Sequence, residues 1–194
     1  PEGIEEIFNI KDISNIFSFD RVNKAGAKFD WEKLNWINSQ FIHNYSSEKL
    51  LKYLIPLWEA RGWQVSDKEW ALDLIKLITP SLTLLIDGVS QASPFFEEPI
   101  LKEDGINQLQ SDGAKDALKI LLKNLKETPW DGFDSNFAKH LLEISSKEAG
   151  VKKGLLMKSL RAALLGEING PDLLSSWSLL ARRGLDEKRL ITNL

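Results

Sequence analysis

An all-α protein packed as two helical halves is what this sequence predicts, on three observations. Apolar residues recur at helical spacing along the chain, and no stretch sustains the alternation of a strand. Capping residues, prolines and glycines fall where such helices need to start and stop. The chain has 194 residues, with 43% hydrophobic and 27% charged side chains. That is enough to bury a real core, and it excludes disordered and low-complexity classes.

The elements follow in order. Asp30 is expected to cap a helix with Leu34, Ile37 and Phe41 facing inward. A second helix runs from Ser47 with Leu51, Leu54, Ile55 and Trp58 on one face, and stops near Gly62. Pro56 lies inside it, where proline tends to kink a helix. Ser66-Asp67-Lys68-Glu69 reads as a reciprocal capping box opening a third, with Trp70, Leu74, Leu77 and Ile78 as its stripe. A new helix is expected at once, with Thr79 as cap and Pro80 in the first position. The stretch from Ser93-Pro94 to Asp104-Gly105, with two prolines and four acidic residues, reads as the connection between the halves, 1–98 and 99–194. Beyond it Ala114, Ala117, Leu118, Leu121, Leu122 and Leu125 make the cleanest amphipathic stripe, ended by Glu127-Thr128-Pro129. Asp134 or Ser135 caps the next helix, with Phe137, Leu141 and Ile144 inward and Gly150 closing it. Leu156 to Leu165, a helix after Pro171 and a short one after Gly184 complete the chain.

Several function classes fall away on composition. There is no cysteine, so disulfide frameworks, thiolate zinc sites and thiol catalysis are excluded. The two histidines, His43 and His140, lack ligand spacing and read as ordinary helix residues, so no metal is expected. No apolar run reaches the ~18 residues of a membrane span. The acidic start, Pro1-Glu2-Gly3-Ile4-Glu5-Glu6, is neither a signal peptide nor a translation start, and reads as the beginning of a fragment. No phosphate loop, paired-carboxylate signature or nucleophile elbow is present. Of the seven tryptophans, Trp58, Trp70 and Trp177 lie on apolar stripes and read as core. Trp31, Trp36, Trp63 and Trp130 are candidates for edge packing.

Charge is unevenly divided. From Val151 onward eight basic residues face four acidic ones, a net of +4, while the first 150 residues carry 17 basic and 24 acidic, a net of −7. An anionic partner is therefore expected to meet the C-terminal portion. The residues alone stop at a helical binding module with a basic end.

Two blocks carry a resemblance. Phe19-Asp20-Arg21-Val22-Asn23-Lys24-Ala25-Gly26-Ala27-Lys28-Phe29-Asp30, continued by Glu32-Lys33-Leu34-Asn35-Trp36-Ile37-Asn38, resembles bacterial-type glutamyl-tRNA synthetase just after its catalytic half. Gly150-Val151-Lys152-Lys153-Gly154, then Leu160-Arg161-Ala162-Ala163-Leu164-Leu165-Gly166 and Gly170-Pro171, is similar to the family's stretch near the C-terminus, with Leu165 where Thr is usual. The resemblance spans essentially the whole chain. The family's "HIGH"-like and "KMSKS"-like signatures are absent. The resemblance therefore implies the helical bundle or cage of a class I synthetase anticodon-binding domain. It implies a first subdomain, 1–98, touching the tRNA stem and anticodon, and a second, 99–194, binding the anticodon with its basic end. ATP and Mg²⁺ would belong to the missing catalytic half. The implied partner is a glutamate-accepting tRNA, with no membrane, a monomeric state by default, and a cytoplasmic or organellar location.

The same resemblance places Arg161, Gly170, Pro171, Leu173 and Leu174 against the first two anticodon bases. A guanidinium offers a base edge a planar donor fork, and apolar residues give bases a stacking surface. Core packing is the competing reading for both leucines, most of all for Leu173, which shares a stripe with Trp177 and Leu180. Lys152, Lys153 and Lys158 read as phosphate neighbours or as solvated lysines. Asn23, Asn35 and Asn38 are expected to bind backbone at turns and caps, with Lys24 or Lys28 near the stem. Family members restricted to the glutamate tRNA carry an Arg for the third base just after a Pro, where this chain has Ser81 after Pro80. A short hydroxyl cannot replace that fork. The resemblance thus implies that the parent enzyme also accepts the glutamine tRNA. The rival function is a helical protein-interaction scaffold without RNA binding.

Overall fold

The computed structural model describes residues 10–21, 26, 28–129 and 132–194. Among these residues there are eleven α-helices and no strand. They are α1 (Ile10–Ile16), α2 (Trp31–His43), α3 (Ser47–Glu59), α4 (Lys68–Ile78), α5 (Asp87–Phe96), α6 (Glu103–Leu109), α7 (Ala114–Glu127), α8 (Ser135–Glu148), α9 (Lys153–Leu165), α10 (Leu173–Ala181) and α11 (Leu185–Thr192). Short 3₁₀ turns occupy Phe19–Arg21 and Thr79–Ser81. The expectations for residues 1–6, 22–25, 27 and 130, including Asn23, Lys24 and Trp130, lie outside the described residues.

Local chemistry sets most helix starts. Asp30 accepts from Lys33 N and opens α2, Ser46 accepts from Lys49 N and opens α3, and Asp134 accepts from Asn136 N and Phe137 N and opens α8. The α4 cap is Asp67 and not Ser66: its carboxylate accepts from Trp70 N at 3.0 Å, so the expected reciprocal box does not form. The helix expected at Pro80 is also absent. Thr79 closes α4 by donating its hydroxyl to Ile75 O, the chain makes one 3₁₀ turn, and α5 begins only at Asp87. That detour drops Leu82 into the core at 1% exposure. α3 continues through Pro56, which sits on its exposed side, so the carbonyl that loses a donor there can turn to water. Ser93 and Pro94 belong to the last turn of α5, which narrows the expected connection to residues 97–102.

One continuous core joins residues of both expected halves. Trp58 and Trp177 are completely buried and Trp70 nearly so, as expected, and each indole N–H has a partner. Trp58 donates to Gly88 O, Trp70 to Leu179 O and Trp177 to Asp186 Oδ2, at 2.9–3.0 Å. Trp63 is also buried and stacks on Phe96 with centroids 4.8 Å apart. α2 departs from its expected face. Ile42 is its buried residue, whereas Leu34 and Phe41 are each more than 40% exposed, as are Trp31 and Trp36. Asn38 donates to Thr83 O and His43 Nε2 meets Leu82 O, so α2 reaches the body through its C-terminal half.

Candidate functional site

The 3₁₀ turn after α4 and the loop 166–172 between α9 and α10 both contribute to a groove of about 660 Å³. Pro80 and Ser81 line it together with Gly170, Pro171 and Asp172. Residues 90 positions apart in the sequence thus line one groove. Lys76 and Arg182 bring positive charge to the groove, and Asp73 and Asp172 negative charge.

Each charge is already positioned by a neighbour. Asp73 accepts from Lys76 Nζ and Arg182 Nη1, both at 2.9 Å. The Lys76 bond chiefly holds its carboxyl below the ordinary value, against the opposing effect of burial. Asp172 caps α10, accepting from Ser175 N at 2.9 Å and Ser175 Oγ at 2.7 Å. Burial works against the Asp172 charge, but the Ser175 bonds and the Arg161 guanidinium outweigh it and keep the group acidic.

Arg161 lies behind the loop. Its Nη1 donates to Pro171 O at 2.5 Å, and Glu167 and Asp172 sit close enough to favour its charge. Burial pulls its pKa down from the ordinary arginine value, yet a guanidinium remains charged at any working pH. Gly170 has φ +131°, a backbone region open to glycine, and its Cα faces the Arg161 guanidinium. The structure therefore brings together Ser81, Gly170, Pro171 and, through the loop carbonyl, Arg161.

It does not bring the other expected residues to the groove. Leu173 is 3% exposed, so the core reading prevails and it offers no surface to a base. Leu174 is half-buried one position further on. Lys153 and Lys158 stand on the exposed side of α9, where Lys158 lies one turn before Arg161, and neither lines the groove. The basic end is also less available than its count implies. Arg182 pairs with Asp67 and Asp73, and Lys188 with Glu98. Arg183 lies over the Trp70 ring, and Arg189 is buried, donating to Leu164 O and Glu97 O. Half of the eight cations are turned onto the first half of the chain or into the core. Sequence reasoning missed Lys76 and Asp172 as groove residues. The Asp172-x-x-Ser175 spacing is a readable cap, but nothing in the sequence places it in one groove with Ser81.

The sequence profile of the family described as "anticodon binding domain" matches residues 48–186. The chain belongs to that family. As an anticodon-binding domain it is 57% identical over 190 residues to proteins named glutamate–tRNA ligase from a Synechococcus strain and from Prochlorococcus marinus. These matches cover 98% of the chain, which spans about 40% of the length of those curated relatives. Among solved structures, the domain superposes on a glutamate tRNA ligase from Elizabethkingia meningosepticum with a TM-score of 0.80. That match has 25% identity and covers 91% of this chain and 34% of the other. The enzyme from Elizabethkingia anophelis gives a TM-score of 0.75 at the same coverage. Among the described residues no helix is long and apolar enough to cross a membrane.

Proposed function

We propose that this anticodon-binding domain receives the anticodon loop of a glutamate-accepting tRNA in the groove between Ser81 and Gly170-Pro171, and so gives a glutamate–tRNA ligase its choice of tRNA. One observation carries this reading: Ser81, implied at the third anticodon base, and Gly170-Pro171, implied at the first two, line a single groove. Glycine and proline at the loop leave room for a base to approach backbone, and Arg161 can offer donors from behind. The exposed lysines of α9 are suited to the flanking phosphates. Activation of glutamate with ATP and Mg²⁺ is assigned to the part of the ligase outside this chain, in the cytoplasm or an organelle, with the protein acting as a monomer.

The same reading extends to the glutamine tRNA. Ser81 is exposed on the groove wall, in the last position of the 3₁₀ turn, with a hydroxyl too short to reach across. Without a long donor there, the wall does not distinguish the third anticodon base, and both tRNAs are glutamylated. Aminoacylation of the two purified tRNAs by the full-length enzyme tests this. The wild type is expected to charge both. Ser81→Arg, whose side chain can extend into the groove, is expected to depress charging of the glutamine tRNA by about 10- to 100-fold, the scale of one base-edge contact of ~1–3 kcal/mol. Strong rejection of the glutamine tRNA by the wild type overturns this extension.

A further inference from the structure

The loop 166–172 carries two of the groove residues, yet much of what fixes it lies outside the groove. Lys102 N donates to Gly166 O at 2.8 Å, and Lys102 Nζ forms an ion pair with Glu167. Ile168 N reaches Asp104 Oδ2 at 3.4 Å. Gly105, in the first turn of α6, approaches so closely that a Cβ there would come within 2.4 Å of Gly166 O. Gly166 itself has φ +83° and is equally tight against Ile100 O. Apolar packing between α6 and α9 would suffice to join the two helices. Here the backbones cross with no side chain between them, and Lys102 and Asp104 direct polar groups to the loop's first three residues. Arg161 holds the far end at Pro171 O. None of Lys102, Asp104 and Gly105 lines the groove.

We propose that Lys102, Asp104 and Gly105 are positioning residues for tRNA selection: they clamp the base of the loop so that Gly170 and Pro171 line the groove with Ser81 in one fixed geometry. The proposal rests on the anticodon reading of the groove. A loop held at both ends meets its ligand without being ordered on binding, so the contact energy appears as discrimination. A loop released at its base still lies beside the α9 lysines and still meets phosphate, but it no longer selects among bases.

The test compares the affinity of this chain for the glutamate tRNA and for the same tRNA with one substituted anticodon base. Gly105→Ala drives a methyl group into Gly166 O without touching the groove. It is expected to reduce the ratio of the two affinities about tenfold, the scale of one lost base contact, while affinity for the substituted tRNA changes less than about twofold. Lys102→Met, which adds no steric load, reduces the ratio by a smaller factor, and Lys102→Arg, which keeps the ion pair, restores it. Helix content and the melting transition are followed in parallel. If Gly105→Ala does not fold, the Lys102 pair carries the test. Folded variants that keep the wild-type ratio, or that lose affinity for both tRNAs equally, overturn the clamp. A wild-type chain indifferent to the anticodon overturns the groove reading itself, and the clamp with it.

Discussion

Arg161 is half-buried between Glu167 and Asp172, with one nitrogen committed to Pro171 O. A guanidinium has five donors, so this bond leaves it able to meet a base while holding the loop that frames it. Arg161→Ala is therefore expected to weaken binding of a glutamate tRNA by about 1–3 kcal/mol while the chain stays folded. Lysine should restore little of this, because a point charge cannot reproduce the planar fork. A dissociation constant measured beside a circular-dichroism spectrum checks it, and unchanged binding by a folded variant removes Arg161 from the site. Arg161 was visible in the sequence only through its resemblance block, since its loop contact spans ten residues. The burial of Leu173 shows the same limit. The stripe it shares with Trp177 left core and base contact both open, and only the packed helix decides for core.

At the scale of elements, α4 and α10 form the seam that sets the groove's width. In the last turn of α10, the carbonyls of Ser178, Leu180 and Ala181 are met by the amides of Arg182, Arg183 and Gly184. Leu179 O is met instead by the Trp70 indole, 2.9 Å away on α4. Removing that donor leaves a buried carbonyl without its partner, and the smaller ring leaves a void. Trp70→Phe should thus cost about 1–3 kcal/mol of unfolding free energy. Arg182→Met removes two ion pairs across the same seam, to Asp67 and Asp73. These pairs are largely exposed, and exposed pairs contribute little. Urea unfolding should therefore rank Trp70→Phe well above Arg182→Met in damage, and the reverse order would show that the seam is electrostatic. A helix start was legible where one side chain does the capping, as at Asp30; Ser46 went unread, and of Asp134 and Ser135 it is Asp134 that caps. Legibility failed where neighbours compete. Ser66 and Asp67 both suit a cap, and Asp67 takes it because its carboxylate reaches the amide of buried Trp70. Pro80 suits a helix start and a 3₁₀ turn alike, and burial of Leu82 accompanies the turn. The apolar face expected for α2 follows correct periodicity, but the body of the fold packs on Ile42 instead.

For the molecule as a whole, the split between an acidic first portion and a +4 end is in large part an internal arrangement. Arg182 and Lys188 spend their charge on Asp67, Asp73 and Glu98, and Arg189 is enclosed by carbonyls. Counting charges along the sequence could not reveal this, because every such partner is more than twenty residues away. The consequence is a modest electrostatic footprint. Lys152, Lys153 and Lys158 remain exposed on or beside α9. Each phosphate neutralised lowers the logarithm of affinity by about 0.7–0.9 per decade of salt. Three lysines give a slope of about −2 to −3, whereas all eight cations would give about −6 to −7. Titrating tRNA binding against potassium chloride distinguishes these outcomes. A slope near −6 would mean that binding draws Arg182 and Lys188 away from Asp67, Asp73 and Glu98 onto phosphate. A flat response would remove phosphate from the interface and favour the helical scaffold. The shallow slope is the expected result, and it assigns selection to the groove, since three phosphate contacts supply attraction that no anticodon base can alter.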